Sequence, residues 1–410
     1  MMNYDIAFLS FIIPKEIEKE VRGKSLNRME EAAIAWQKHI IAGIEKNNHS
    51  EVKMINILPI EAFPSGYKDA VIRKTFFKHA SNAQDVNVGY CNVKIVKRFI
   101  QWWPIFQEVD SWAKQKSDKK KVLIAYTMYP EFMKAISRVK RKWPEIITID
   151  IVVDLPQFIA LGEKKLSTFG KIYQRWSRKQ AEKNLYSVDG FSVITKQMVD
   201  IISKNKPFEV IEGISTEEFP KLQGKRDGTI RVIYAGLLHR RFGIIKLLNA
   251  FEKINDTEFS LIICGVGETE NEILERAKNN NRIEFLGKLP RESVLEIMSS
   301  CDVIVNPREN KGEYTKYSFP SKNLEALSSG IPFIGYKLDG IPDEYDQYIN
   351  YPKDDSEDAL AECIYNVGKN DNKSAKEKAL NAKNWVLSSK SCSEQGKKIF
   401  RLIERISSNN

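Results

Sequence analysis

Histidine is scarce in this chain, with four in 410 residues, which argues against a centre in which a metal is held by several imidazoles. The five cysteines, Cys91, Cys264, Cys301, Cys363 and Cys392, are far apart and form no CxxC pair. They suggest reduced thiols in a cytoplasm and no zinc site. No apolar run is long enough to cross a bilayer. The opening MMNYDIAFLSFIIPKEIEKE carries Asp5 inside its apolar part and Pro14 at its end, so it predicts a buried first strand over residues 6–13 and neither a signal peptide nor a membrane span. Internal repeats and low-complexity segments are missing too, which excludes solenoids and disordered tails. The stretch Gly265-Val266-Gly267-Glu268 stops short of GxGxxG, so no dinucleotide fingerprint is present.

What is present is enough hydrophobic sequence, 42% of the residues, for about two domains. The net charge of +10 is unevenly spread: 20 of the 64 Lys and Arg but only 9 of the 54 Asp and Glu fall between residues 94 and 183, so the rest of the chain is near neutral. Trp102, Trp103, Trp112, Trp143 and Trp176 are interleaved with these charges. Basic residues beside tryptophan suit an anionic membrane surface; nucleic acid attracts the same charges, and solvated helix faces over a tryptophan-containing core are the third reading. No base-reading motif accompanies the charge, which argues against nucleic acid as a partner.

Apolar runs and helical periods alternate along the whole length. Strands are predicted over residues 6–13, 52–57, 121–126, 146–153, 191–194 and 208–211, with a helix over 23–47 whose stripe is Ala32, Ala33, Trp36, Ile40, Ile41 and Ile44, and a loop over 14–25. Asp154 follows the buried run 146–153 and is the best polar candidate of the first half, although an Asp before Leu155-Pro156 also suits a turn. A basic helix is expected over 167–185, and the polar segment 212–229 reads as a connector. Further strands follow at 231–234, 261–264, 283–286 and 302–305, and His239, Arg240 and Arg241 sit in a turn where they can meet phosphate.

Residues 317–336, YSFPSKNLEALSSGIPFIGY, stand out. Ser318 is placed as an N-cap and Pro320 in the first turn of a helix that Gly330 closes, with a buried strand at 331–334. Lys322 lies in a first helical turn, where a cation is disfavoured unless an anion is near. Glu325 can accept hydrogen bonds from two adjacent ribose hydroxyls; an i,i+3 Lys322–Glu325 surface pair is the plain alternative. Two doubly wound α/β domains, 1–212 and 213–384, facing across a ligand cleft are expected, with residues 385–410 as a terminal helix returning to the first domain.

From YAGLLHRRFGIIKLLNAF through LIICGVGE, IEFLGKLPRESVLEIMSSCDVIVNP and FPSKNLEALSSGIPFIGY to DGIPDEY, residues 190–350 resemble the donor domain of retaining GT-B glycosyltransferases, specifically glycosyltransferase family 4. The first half is similar only in its pattern, VVDLPQF and VITKQM, in the manner of bacterial enzymes that build capsule, exopolysaccharide or O-antigen chains on lipid carriers. The resemblance implies a hexosyltransferase that moves a sugar from a UDP- or GDP-type donor to a hydroxyl of a glycan or lipid-linked acceptor, with retention, with no cofactor and no metal, at the inner face of the cell membrane. By the same resemblance Glu325 matches the ribose-holding second acid of the Glu-x7-Glu motif, and Tyr317 stands where the first acid falls, with Glu313 as a substitute. Donor binding is then assigned to Gly236, Arg240, Arg241, Gly265, Gly287, Tyr317, Ser318, Phe319, Ser321, Lys322 and Glu325. Asp154, Lys322 and Arg241 are assigned to catalysis, with either Arg240 or Arg241 neutralising the diphosphate. A catalytically silent nucleotide-sugar-binding subunit and an epimerase acting on a soluble sugar nucleotide are the alternatives.

Overall fold

The computed structural model describes residues 3–27, 29–155, 175, 179, 183–202, 205–215, 219–223, 228–369 and 373–409. The chain divides into two units, residues 1–214 with 392–410, and residues 215–391. Most of the expected basic helix at 167–185, with Trp176, lies outside the described residues.

The first unit is built on β1 (Asp5–Ser10), β2 (Lys53–Asn56), β3 (Val71–Ile72), β4 (Thr75–Phe77), β5 (Asp85–Asn87), β6 (Tyr90–Cys91), β7 (Lys121–Tyr126), β8 (Ile147–Val152), β9 (Gly190–Val193) and β10 (Phe208–Val210). Eight of them form one sheet in the order β10-β9-β8-β7-β1-β2-β5-β4, while β3 and β6 pair separately. All pairings in the large sheet are parallel except β4 with β5. Every residue of β8, ITIDIV, is buried, as a β-branched run covered on both faces requires. The segment expected as a loop over 14–25 is instead a 3-10 turn and a helix, α1 (Glu18–Lys24). Glu18 and Glu20 lie in its first turn and Arg22 and Lys24 in its last, and the i,i+4 pairs Glu18–Arg22 and Glu20–Lys24 join them, a charge order that favours a helix without an apolar period.

Helix α2 (Glu31–Asn48) begins later than the periodicity predicts. Its buried stripe is Ile34, Gln37, Ile40, Ile41 and Ile44, with Ala32 exposed and Ala33 and Trp36 half-buried. Two helices that the apolar period does not reveal follow, α3 (Lys94–Ile100) and α4 (Trp102–Ala113), and then α5 (Pro130–Lys142) after β7 and a short α6 (Val199–Ile202). The tryptophans of this region divide. Trp112 is a core residue whose indole donates to Asp5, and Trp143 donates to Asp110 at 3.0 Å. Trp102 and Trp103 stack edge-on outside the core, and Trp103 is exposed.

The second unit carries β11 (Ile230–Leu237), α7 (Ile244–Glu252), β12 (Phe259–Val266), α8 (Glu270–Asn279), β13 (Ile283–Gly287), α9 (Arg291–Ser299), β14 (Val303–Asn306), α10 (Ser321–Ser329), β15 (Phe333–Gly335), α11 (Glu357–Gly368) and α12 (Lys373–Ser389). Its sheet is wholly parallel in the order β13-β12-β11-β14-β15. One core layer, with Leu247, Phe251 and Ile364, covers one side of the sheet, and another, with Leu295, Leu324, Leu327 and Tyr345, covers the other. The strand order reverses direction between β11 and β14, and in open α/β sheets the crevice beyond the carboxyl ends at such a point is where ligands bind. The last helix, α13 (Cys392–Asn409), belongs to the first unit, where it packs on α2.

Candidate donor site

A cavity of about 340 Å³ opens at that reversal point, between the ends of β11 and β14 and the start of α10. Gly236 and Leu237 form one side, Asn306 and Arg308 another, and Phe319, Ser321, Lys322 and Glu325 a third. A larger hollow of about 640 Å³, in the first unit, lies against α13 at the entry to β10. That is the amino-terminal edge of the sheet, the side on which α/β folds do not place their ligands.

The helix that supplies Lys322 and Glu325 begins and ends by different devices. Gly330 closes it in the left-handed conformation with φ 81°, as expected. The amino end differs: Ser318 is not the N-cap, and Pro320, with φ −71° and ψ 105°, holds that position. The Ser318 hydroxyl is engaged elsewhere, accepting from a terminal nitrogen of Arg308 at 2.7 Å. No side chain caps α10, and the Asn323 N–H in its first turn donates to the Pro320 carbonyl at 2.9 Å.

Lys322 donates to Glu325 at 2.6 Å, and Arg291 approaches the other oxygen of the same carboxylate at 3.4 Å. The i,i+3 pair that the spacing allows is therefore formed, on the cavity wall. Glu325 keeps only 17% of its side-chain exposure, whereas Lys322 keeps 51% and has room to turn toward a ligand.

The other residues that the sequence nominates are distributed around this wall rather than within it. Arg240 is turned away: its guanidinium pairs with Glu272 on α8, and its backbone N–H donates to Glu268. The reason is electrostatic, since α8 has Glu270 and Glu272 in its first turn. Arg241 stacks on Phe242, its Cζ 4.8 Å from the ring centroid, and Phe242 is part of the wall. Gly265 lies in register beside Gly236, so close that a Cβ on Gly265 would stand 1.8 Å from the Gly236 carbonyl oxygen. Gly287 ends β13 with φ 64° and lines no part of the cavity. Tyr317 closes a 3-10 turn, Glu313–Tyr317, and Glu313 is exposed at its start.

Arg308 is the wall residue that the sequence pattern did not single out. Its place three residues past the strand predicted at 302–305 is the signal that could have found it, close to the one that marks Asp154. Gly243, at φ 81°, brings the turn before α7 against the backbone of Pro307, where a Cβ would meet the Pro307 carbonyl oxygen at 2.0 Å. That approach sets Phe242 beside Arg308.

In the first unit Asp154 lies two residues past β8, at the carboxyl edge of the sheet. Desolvation against the protein, and then the charge of Glu30, push its carboxyl up to about 6, although the residue keeps a face open to solvent. Tyr126, at the end of β7, feels the Asp154 charge and packs against Trp36 with ring centroids 5.6 Å apart. The next residue, Thr127, adopts φ 62°, a strained conformation for a β-branched side chain and a mark of functional edges. Burial also pushes Glu131 up to about 7 at the start of α5 and Lys97 down to about 8, each opposed by the charge of the other. Among the described residues, no group of three His, Cys, Asp or Glu side chains is placed to hold a metal ion.

Comparison with known proteins matches residues 229–370 to the family model "Glycosyl transferases group 1". Over that span the chain is similar to group 1 glycosyl transferases, and its fold is GT-B. The cavity lies wholly inside the matched span. N-acetyl-alpha-D-glucosaminyl L-malate synthase of Bacillus anthracis is 33% identical over 101 residues, 24% of this chain and 24% of that protein. The match thus spans about a quarter of the length of that curated relative. Among solved structures, sucrose-phosphate synthase from Thermosynechococcus elongatus superposes with a TM-score of 0.64 at 14% identity over 100% of both chains. A lipopolysaccharide outer core galactosyltransferase in its apo form gives 0.61 at 14% identity, covering 98% of this chain and 99% of its own. HepE of Anabaena, in complex with UDP, gives 0.57 at 12% identity over 98% and 100%.

Proposed function

We propose that this chain is a hexosyltransferase that moves a sugar from a UDP- or GDP-type nucleotide donor to a hydroxyl of a glycan or lipid-linked acceptor, with retention and without a metal, in the assembly of a capsule, exopolysaccharide or related surface polysaccharide. The observation that carries this reading is the cavity at the β11/β14 reversal point, which joins a basic wall, a helix start and a carboxylate in one place. In it Glu325 holds the ribose hydroxyls of the donor. Lys322 and Arg241 face the diphosphate, whose negative charge grows as the sugar departs, so that fixed cations do the work a divalent ion does elsewhere. Arg240, committed to Glu272, takes no part. Asp154 acts on the acceptor side. Its pKa, raised to about 6, keeps it poised to exchange a proton near neutral pH.

Work at the inner face of the cell membrane is supported by the surface of α3 and α4. Val96, Phe99, Ile100 and Trp103 are 40, 59, 44 and 50% exposed, with Lys94, Arg98, Lys134 and Arg138 in or next to these helices. Lys134 and Arg138 both lie over the Trp102 ring, at 4.0 and 5.3 Å from its centroid. Apolar tips bordered by cations suit the headgroup region of anionic lipid. No helix among the described residues is long and apolar enough to cross a membrane. The test is transfer from a panel of nucleotide sugars to lipid-linked acceptors, with the anomeric configuration of the product read by NMR. An inverted product removes the retaining mechanism. Tyr317, standing where the resemblance expects an acid, favours a silent donor-binding subunit as the second reading, and binding of a nucleotide sugar with neither transfer nor hydrolysis across the panel would establish it.

A further inference from the structure

Arg308 differs from the other cations near the cavity in how it is held. Its Cζ lies 5.5 Å from the centroid of Phe242 and 5.2 Å from that of Tyr314, so two rings fix the guanidinium. One terminal nitrogen donates to the Ser318 hydroxyl, and the buried Nε has no hydrogen-bond partner. Its polar neighbours are hydroxyls, those of Ser318 and Tyr314. Among the groups whose charge acts on it is another cation, Arg241, which stacks on the same Phe242 ring. Desolvation and Arg241 both act to lower its basicity.

Such an arrangement is costly in isolation. A buried N–H without a partner, and a half-buried cation next to a second cation, both need an acceptor with negative charge. A guanidinium whose plane is fixed offers a rigid fork of donors, the geometry that phosphate oxygens accept. Lys322 lines the same cavity and adds a second positive group to its wall, with Arg241 behind Phe242.

We propose that Arg308 binds the diphosphate of the donor nucleotide, with Ser318 as the positioning residue that holds the guanidinium in the plane required. This rests on reading the cavity as the donor site and deepens it: the principal phosphate ligand is an arginine after the fourth strand of the unit, and Arg241 is its neighbour rather than its substitute. Phe242 and Tyr314 serve as the walls that keep the fork from swinging. The loop of residues 307–318 is then a phosphate loop as well as a connector.

The experiment is calorimetric titration of the wild-type chain, Arg308→Gln and Arg308→Lys with UDP, GDP and ADP, and with UMP, GMP and AMP. For whichever base the wild type binds, Arg308→Gln weakens the diphosphate at least about tenfold while changing the monophosphate less than about threefold, the scale of a charge-assisted pair lost at one phosphate. Arg308→Lys, which retains a point charge without the fork, falls between. Ser318→Ala, which leaves Arg308 in place, loses part of the same diphosphate preference and serves if Arg308→Gln does not fold. Wild-type diphosphate affinity in both Arg308 variants, or equal losses for mono- and diphosphate, overturns the proposal and leaves the donor-site reading standing. Failure of the wild-type chain to bind any of the diphosphates overturns both.

Discussion

Lys322 and Glu325 face each other one helical turn apart at 2.6 Å, on the wall of the cavity at the β11/β14 reversal point. An exposed pair of this kind contributes about 0.2–1 kcal/mol to stability, because solvent screens it and both side chains lose freedom. Hydrogen bonds from ligand hydroxyls to a carboxylate are larger, about 1.5–3 kcal/mol in all. Glu325→Ala is therefore expected to leave the unfolding midpoint almost unchanged and to weaken nucleotide binding by that larger amount. Denaturant unfolding and calorimetry on the same preparation check it, and unchanged nucleotide affinity sinks the ribose assignment.

Lys322→Ala separates ground-state from transition-state roles. The charge on a departing diphosphate grows as the glycosidic bond breaks, so a cation that faces it acts more strongly on turnover than on donor binding. The expected result is a fall in kcat greater than the rise in donor Kd. Equal losses identify Lys322 as a docking contact only.

Most of the second unit is legible in the sequence because its strands are short buried runs followed by a glycine or proline signal, as at Gly236, Gly265, Gly287 and Pro307. The first unit is harder to read for a physical reason. In residues 94–113 the apolar side chains serve two purposes at once: Ile105, Val109 and Trp112 face the core, while Val96, Phe99, Ile100 and Trp103 face solvent, so no single stripe emerges. Helix α1 is held by charge order, which a search for apolar period misses. At the site, residue type points to Lys322 and Glu325, but which arginine enters the wall depends on partners far away in sequence. Glu272, 32 residues on, withdraws Arg240, and a turn brought in by Gly243 seats Phe242 beside Arg308.

The same α3–α4 surface yields a prediction about lipid. Replacing Phe99 and Trp103 together by Ser removes apolar tips without touching the core, so the fold should remain and flotation with liposomes containing anionic lipid should fall several-fold. Replacing Lys94 and Lys134 by Gln should instead weaken binding by about 1 kcal/mol per charge and reduce its salt dependence. Flotation that is equal for wild type and both variants removes this face from the membrane reading.

Asp150 lies in the middle of β8, fully buried, and neither carboxyl oxygen has a hydrogen-bond partner among the described residues. Burial pushes it up to about 8 from an ordinary value of 3.8, so it is protonated in the folded chain at neutral pH. The unfolded chain releases that proton above about pH 4, where a free carboxyl titrates. Between these two values the folded state binds more protons than the unfolded state, so the contribution of Asp150 to stability is greatest at low pH and is lost as pH rises toward 8. Each pH unit in that window costs up to about 1.4 kcal/mol. Asp150→Asn, which cannot ionise, should therefore be more stable than the wild type at pH 8 and much closer to it at pH 4.5. Thermal unfolding of both chains at the two pH values checks this, and a difference in Tm that does not change with pH shows that the Asp150 carboxyl is ionised in the fold.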